Sequence, residues 1–269
     1  MTRTTHTVAL DQGTLDLTVE RHGEQGRPFL LLHGGGGPAT VTPFAALLAE
    51  RHPARVLTPL HPGFAGTPRP EWLTDVPTLA RAYAHLLDVL DLRDVAVVGN
   101  SIGGWIAAEL AALGGDRISS VTLVNAVGMA VPGHPVADTF SLTPVELSRL
   151  SFHDPSKFRF DPAALTEEQR ATAAANQAAL RVYSGPHTMA DPGLAVRLAL
   201  IERPVLVAWG ESDRVVDADY GRAYAEAVPG AEFRLLKGTG HMPQIETPEM
   251  LLPVVRDFAE AHAEVQARR

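Results

Sequence analysis

Along most of the chain, short unbroken apolar runs alternate with longer stretches whose apolar positions recur at helical spacing. His6–Leu10 and Leu15–Arg21 predict a hairpin turning at Gln12-Gly13. Pro28–His33 (PFLLLH) predicts a buried strand, Thr42–His52 a helix opening on Thr42 and Pro43, Ala54–Leu60 a strand, and Leu79–Leu92 a helix. Asp94–Gly99 predicts the next strand, a helix starts at Ile102, and Ser120–Asn125 is again strand-like. The rhythm resumes late, with a strand at Arg203–Gly210, a helix at Asp219–Val228, a strand at Ala231–Lys237 and a closing helix at Pro248–Gln266. Apolar strands alternating with amphipathic helices predict an α/β fold, a mostly parallel sheet with helices on both faces.

Residues 127–201 interrupt that rhythm. Seven prolines fall there, with helical patterns at Leu142–Leu150, Leu165–Leu180 and Asp191–Leu200, and no strand is evident. Thr166 and Gln169 form a capping-box signature. The stretch reads as a helical cap inserted into one α/β core, giving 1–126 as the first part of the core, 127–201 as the cap and 202–269 as the second part of the core.

Composition narrows the function. A 269-residue chain with 45% hydrophobic and 20% charged residues can bury a large core. A net charge of −8 and the lack of a Lys/Arg cluster argue against nucleic acid. No apolar run approaches the roughly 18 residues of a membrane span. The N-terminus lacks a signal-peptide core, so a cytoplasmic location is the default expectation. With no cysteine, disulfides, zinc–thiolate sites and thiol nucleophiles are excluded. The eleven histidines are dispersed without metal-binding spacing, and neither metal nor organic cofactor is expected.

Chemistry concentrates at three loops. Gly99-Asn100-Ser101-Ile102-Gly103 is a G-x-S-x-G turn between a strand and a helix, the setting of a nucleophile elbow. Glycines two residues either side let the backbone crowd around an outward serine; a serine that merely fills a tight turn is the competing reading. A serine hydroxyl needs a base and the base needs an orienting carboxylate. His241 follows the last strand in a glycine-rich loop, and Asp213 follows the strand before it. Glu211, Asp217 and Asp219 compete with Asp213, while Asn125 leaves the tip of its strand without an acid. Four successive glycines, Gly34 to Gly37, follow the strand that ends at His33 and can turn amides toward a developing oxyanion. The hole is assigned to the N–H groups of Ile102 and Gly35, with Gly36 as the one-residue alternative. The same loop fits a loose dinucleotide fingerprint, but Pro38 breaks the turn-to-helix path and His61 stands where a ribose-binding acid is expected.

On HGGGGP (33–38), HPGFAGT (61–67), GNSIGG (99–104), WGESDRVV (209–216) and GHMPQIETP (240–248), the chain resembles the α/β-hydrolase superfamily over essentially its whole length. The resemblance implies an eight-stranded, mostly parallel sheet, a helical cap after the sixth strand, and a triad of Ser101, His241 and Asp213. HGGGGP, GNSIGG and Asn100 are similar to the carbon–carbon bond hydrolases of aromatic ring-fission products, and GHMPQIE to esterases, lactonases and cofactor-free haloperoxidases. Gly36, Asn100 and Met242 are expected to contact substrate. In the cap, Phe140, Phe152, Phe158, Phe160, Tyr183 and Met189 are available to line a pocket, and His153, His187 and Arg197 are its polar candidates. The expected activity is hydrolysis of a small, largely apolar ester or lactone. Cleavage of a vinylogous diketone is the alternative within enzymes, and a small-molecule receptor the alternative outside them. The expected partner is a small-molecule substrate, with no nucleic acid and no membrane, and a homodimer is left open.

Overall fold

A computed structural model describes residues 1–158, 162–185 and 189–264. Its strands are β1 (Thr2–Leu10), β2 (Gly13–His22), β3 (Arg27–Leu32), β4 (Ala54–Pro59), β5 (Val95–Asn100), β6 (Ile118–Val124), β7 (Gly128–Met129), β8 (Ala190–Asp191), β9 (Val205–Gly210) and β10 (Glu232–Leu236). Its α-helices are α1 (Thr42–Arg51), α2 (Val76–Val89), α3 (Ile102–Ala112), α4 (Pro144–Ser151), α5 (Glu167–Ser184), α6 (Leu194–Leu198), α7 (Ala218–Ala227), α8 (Pro243–Glu246) and α9 (Pro248–Ala261).

The main sheet has eight strands in the order β1-β2-β4-β3-β5-β6-β9-β10. β1 and β2 form the antiparallel hairpin, β2 runs antiparallel to β4, and every other pairing is parallel. Because β3, β5, β6 and β9 are central and covered on both faces, their residues are buried almost throughout, and β3, β5 and β9 are nearly all apolar. Phe44 and Leu48 of α1 join Leu251 and Val255 of α9 in one core layer. Residues of α2, α3 and α7 form the opposite layer, which also receives Leu180, Leu194 and Leu198 from the insertion.

Local chemistry moves some boundaries. α2 begins three residues before the expected Leu79, because the Asp75 side chain accepts the Thr78 N–H and Pro77 occupies the first turn. Thr166 and Gln169 close the capping box of α5, and Thr143 and Glu146 form a second one on α4. The insertion is not wholly helical as expected: β7 and β8 pair in parallel as a two-residue ribbon. Two residues are too few for an alternating pattern, so the ribbon left no trace in periodicity. Tyr220 of α7 secures it, accepting from Met129 N–H and donating to Met129 O. Among the described residues no helix is long and apolar enough to cross a membrane.

Candidate active site

Ser101 sits where β5 hands over to α3, with φ 57° and ψ −121°, a conformation that costs a non-glycine residue on the order of 1–3 kcal/mol. The glycines around it are explained by contact. A Cβ on Gly99 would lie 2.1 Å from the Gly103 carbonyl oxygen, one on Gly103 2.3 Å from that of Leu32, and one on Gly104 2.6 Å from the Ala126 Cβ. The turn is thus compressed from both neighbouring strands, and only glycine fits beside it. Ser101 is buried at the N-terminus of α3, where the helix dipole favours negative charge.

His241 donates from Nδ1 to Asp213 Oδ2 at 2.7 Å, which leaves its Nε2 free to accept a proton. Both residues are buried. The Asp213 carboxylate is fully engaged: Oδ1 accepts from the amides of Val215 and Val216, and Oδ2 also accepts from Asn125 Nδ2 at 2.7 Å. The rival carboxylates lie elsewhere. Glu211 accepts from Gly238 N–H, Asp217 caps α7 and pairs with His134, and Asp219 faces Arg222 at the surface. Along the chain Asn125 shows only as a strand tip without an acid. Its signal was position, since it follows β6 directly, and its amide reaches the carboxylate from the next strand.

Asn100, expected to contact substrate, spends its side chain on the protein. Its Nδ2 donates to the carbonyls of Val124 (3.2 Å) and His241 (3.0 Å), and its Oδ1 accepts from Gln244 Nε2 at 3.0 Å. The residue beside Ser101 therefore brackets the histidine loop onto the elbow. Met242 is half-buried at the N-cap of α8, immediately after His241.

The glycine loop reaches Ser101 because β3 pairs with β5, placing Leu32 beside Gly99. A Cβ on Gly34 would be 3.2 Å from the Ser101 Cβ. Helix α5 lies across the rest: a Cβ on Gly35 would strike Leu180 at 2.6 Å, and one on Gly37 would strike Asn176 at 2.5 Å. Among the described residues, neither the Gly35 nor the Ile102 amide is spent on a protein acceptor. Gly36 is exposed, and its carbonyl accepts from Asn176 Nδ2.

The insertion also grips the histidine loop. Ser151 O accepts from His241 N–H at 2.7 Å. The Glu246 carboxylate collects the amides of Gly240, His153 and Asp154 at 2.7, 3.1 and 3.0 Å. Of the other residues expected in the insertion, Phe152 stacks on Phe158 at 4.4 Å, Tyr183 donates to Pro62 O, and Arg181 lies over the Phe140 ring. Met189 is buried. His153 bonds Ser212, and Arg197 pairs with Glu109 of α3 and with Asp191, which makes it an anchor of the insertion. Phe160 and His187 lie outside the described residues.

Comparison with known proteins agrees with this architecture. The model of the alpha/beta hydrolase family matches residues 29–254. The chain is 28% identical over 258 residues to the dihydrolipoyllysine-residue acetyltransferase component of the acetoin cleaving system of Pseudomonas putida, covering 90% of this chain but only 66% of that protein's length. It is 27% identical to a 2-hydroxymuconate semialdehyde hydrolase of Pseudomonas putida, with 89% of each chain covered. In fold it is similar to a thermophilic esterase of Thermogutta terrifontis, with a TM-score of 0.76, 22% identity, and coverage of 98% of this chain and 100% of that one.

Proposed function

The chain belongs to the alpha/beta hydrolase family, and from that premise we propose that it is a serine hydrolase cleaving a small, largely apolar carboxylic ester or lactone. The observation that carries the reading is His241, its Nδ1–H held by the saturated Asp213 carboxylate and its loop bracketed to the nucleophile turn by Asn100. Ser101 Oγ attacks the substrate carbonyl carbon while its proton passes to His241 Nε2. Asp213 keeps the imidazole in the required tautomer and stabilises its cation. The amides of Ile102 and Gly35 receive the negative oxygen of the tetrahedral intermediate. Collapse expels the alcohol, which takes the proton from His241, and leaves an acyl group on Ser101. Water, deprotonated by His241, then releases the acid and restores the serine.

A second reading, hydrolysis of a carbon–carbon bond in a vinylogous diketone, draws on the likeness to the semialdehyde hydrolase. It needs a proton delivered to a substrate carbon before the bond breaks. The experiment is fluorophosphonate labelling beside p-nitrophenyl butyrate hydrolysis, on wild type and Ser101→Ala. Labelling and turnover are expected in the wild type, with turnover falling by at least about 10³-fold in the variant. A folded wild type that neither labels nor turns over would remove the hydrolase reading and leave a small-molecule receptor.

A further inference from the structure

Beneath the glycine loop lies a stack of buried polar rings that the chemistry above does not use. His33 and His61 are wholly buried, with ring centroids 3.7 Å apart and planes at 30°. Phe64 closes the His33 edge at 5.0 Å.

Their hydrogen bonds admit one arrangement of protons. The backbone N–H of His61 donates to His33 Nε2 at 3.1 Å, so that nitrogen carries no proton. His33 is therefore neutral and protonated at Nδ1, from which it donates to Gly34 O at 2.8 Å. His61 Nε2 faces the His33 carbonyl at 2.9 Å, and a carbonyl can only accept, so Nε2 carries the His61 proton. Burial keeps that ring neutral as well. Its Nδ1 then accepts from the Tyr83 hydroxyl, 2.5 Å away. Tyr83 fixes the tautomer of the His61 ring, and the His61 backbone N–H fixes that of His33. The His61 ring holds His33 in place by stacking on it and by donating from Nε2 to its carbonyl.

The Gly34 carbonyl matters because of what shares its peptide plane. Gly34 C=O and Gly35 N–H belong to one planar trans unit and point in opposite directions. Gly34 O is gripped twice, by His33 Nδ1–H and by Gly37 N–H at 3.0 Å. Four consecutive glycines offer no side chain to hold the loop. Bonds on its carbonyls therefore decide where the Gly35 amide aims. A donor aimed poorly at an oxyanion loses strength steeply with angle.

We propose that His61 is a positioning residue that acts through His33 to set the direction of the Gly35 amide, with Tyr83 holding the His61 tautomer. The inference rests on the reading of Gly35 N–H as an oxyanion donor. His61 touches no substrate. Its effect is confined to states that carry negative charge on the carbonyl oxygen, so it belongs to kcat and not to KM.

The test compares His61→Leu, His61→Gln and Tyr83→Phe with wild type. Turnover of p-nitrophenyl butyrate, inhibition by an alkyl trifluoromethyl ketone and thermal melting are measured on each. The ketone forms a tetrahedral adduct on serine and reads the oxyanion hole directly. Outright loss of one oxyanion donor costs about 10²–10³ in rate, so misaiming it in His61→Leu is expected to cost about 10–100-fold in kcat. The ketone should weaken in parallel while KM holds. Glutamine can place an amide donor where Nε2 was, and His61→Gln should recover most of the loss. Tyr83→Phe should show about a third to a tenth of wild-type kcat, again bounded by the loss of a whole donor. If His61→Leu does not fold, the other two variants carry the comparison.

The inference is overturned if folded variants keep wild-type kcat and ketone affinity, or if only KM moves. It is also overturned if ¹⁵N NMR of the wild type finds His33 Nε2 protonated. Absence of Ser101-dependent turnover in wild type would sink the hydrolase reading and this inference together. Turnover present in wild type and untouched in the variants would sink this inference alone.

Discussion

The two loops that flank Ser101 are held by opposite chemistry. The glycine loop, residues 33–38, rests on uncharged rings and on the close approach of α5, with no formal charge among His33, His61, Tyr83, Asn176 and Leu180. The histidine loop, residues 238–247, is tied by a carboxylate: Glu246 gathers amides from Gly240, His153 and Asp154, and Ser151 O holds the His241 amide. The insertion touches both, with α5 on one loop and the residues closing α4 on the other. One wall of the site thus depends on where protons sit in neutral rings, and the other on an acceptor that draws separate segments together.

The largest effect should come from removing that acceptor. Glu246→Ala leaves three amides without their partner, and hydrogen bonds to charged groups contribute roughly 1.5–3 kcal/mol each without adding fully. A loss of about 3 kcal/mol in urea unfolding is expected. Fluorophosphonate labelling should slow as well, because Gly240 precedes His241 directly. Glu246→Gln, which keeps one carbonyl acceptor, should lie between. Stability of Glu246→Ala within about 0.5 kcal/mol of wild type would reduce the cluster to a surface contact.

The neutral wall should fail with acid instead. Burial pulls His33 down to about 4 from an ordinary 6.5, and burial followed by its neighbour His33 lowers His61 in the same direction. The unfolded chain, whose histidines titrate normally, binds more protons between those values. Stability therefore rises with pH through that window, is complete at neutral pH, and is lost as pH falls from about 6.5 toward about 4. For His33 alone the full window is on the order of 3 kcal/mol, of which about 2 should be gone at pH 5. His134, raised by its bond to Asp217, titrates at the surface with the opposite sign. Urea midpoints that do not change between pH 7 and pH 5 would contradict a neutral, buried pair.

The same contrast explains what could be read from the chain. Core strands were legible because sheet burial on both faces leaves a continuous apolar run, as in Val95–Val98. The elbow was legible because Gly99, Gly103 and Gly104 each relieve a collision close to Ser101 in space and in sequence. Asp213 stands out on the chain only by its place after β9, which Glu211 and Asp217 share closely. It takes the fold to show that Glu211 accepts from Gly238 N–H and that Asp217 caps α7. The brackets were not legible. Asn125 to Asp213, Glu246 to His153 and Asn176 to Ala65 join a side chain to a distant segment, and such pairs leave no period or spacing behind. Asn100 marks the limit best: its position put it at the site, but nothing along the chain told that its amide would face Val124, His241 and Gln244.

The smallest effect should fall on the join between α5 and the glycine loop. Asn176 is buried, donates to Gly36 O at 3.2 Å and accepts from Ala65 N–H at 2.8 Å, so one amide pins the loops after β3 and β4 together. Asn176→Ala removes two neutral hydrogen bonds, which contribute about 1 kcal/mol each when net exchange with water is counted. Gly36 O is near the surface and can turn to solvent, whereas Ala65 N–H loses its acceptor under the helix. A loss of about 1–1.5 kcal/mol follows, at most about half that expected for Glu246→Ala. The direction of the Gly35 amide should survive, because Gly34 O keeps both His33 and Gly37. Ketone affinity should therefore stay within about 3-fold of wild type, well short of the 10²–10³ of a lost donor. If Asn176→Ala weakens the ketone as strongly as His61→Leu does, the aim of that amide is set from the insertion above and not from the rings below. The glycine loop would then depend on the insertion as fully as the histidine loop, and the division between the two walls would disappear.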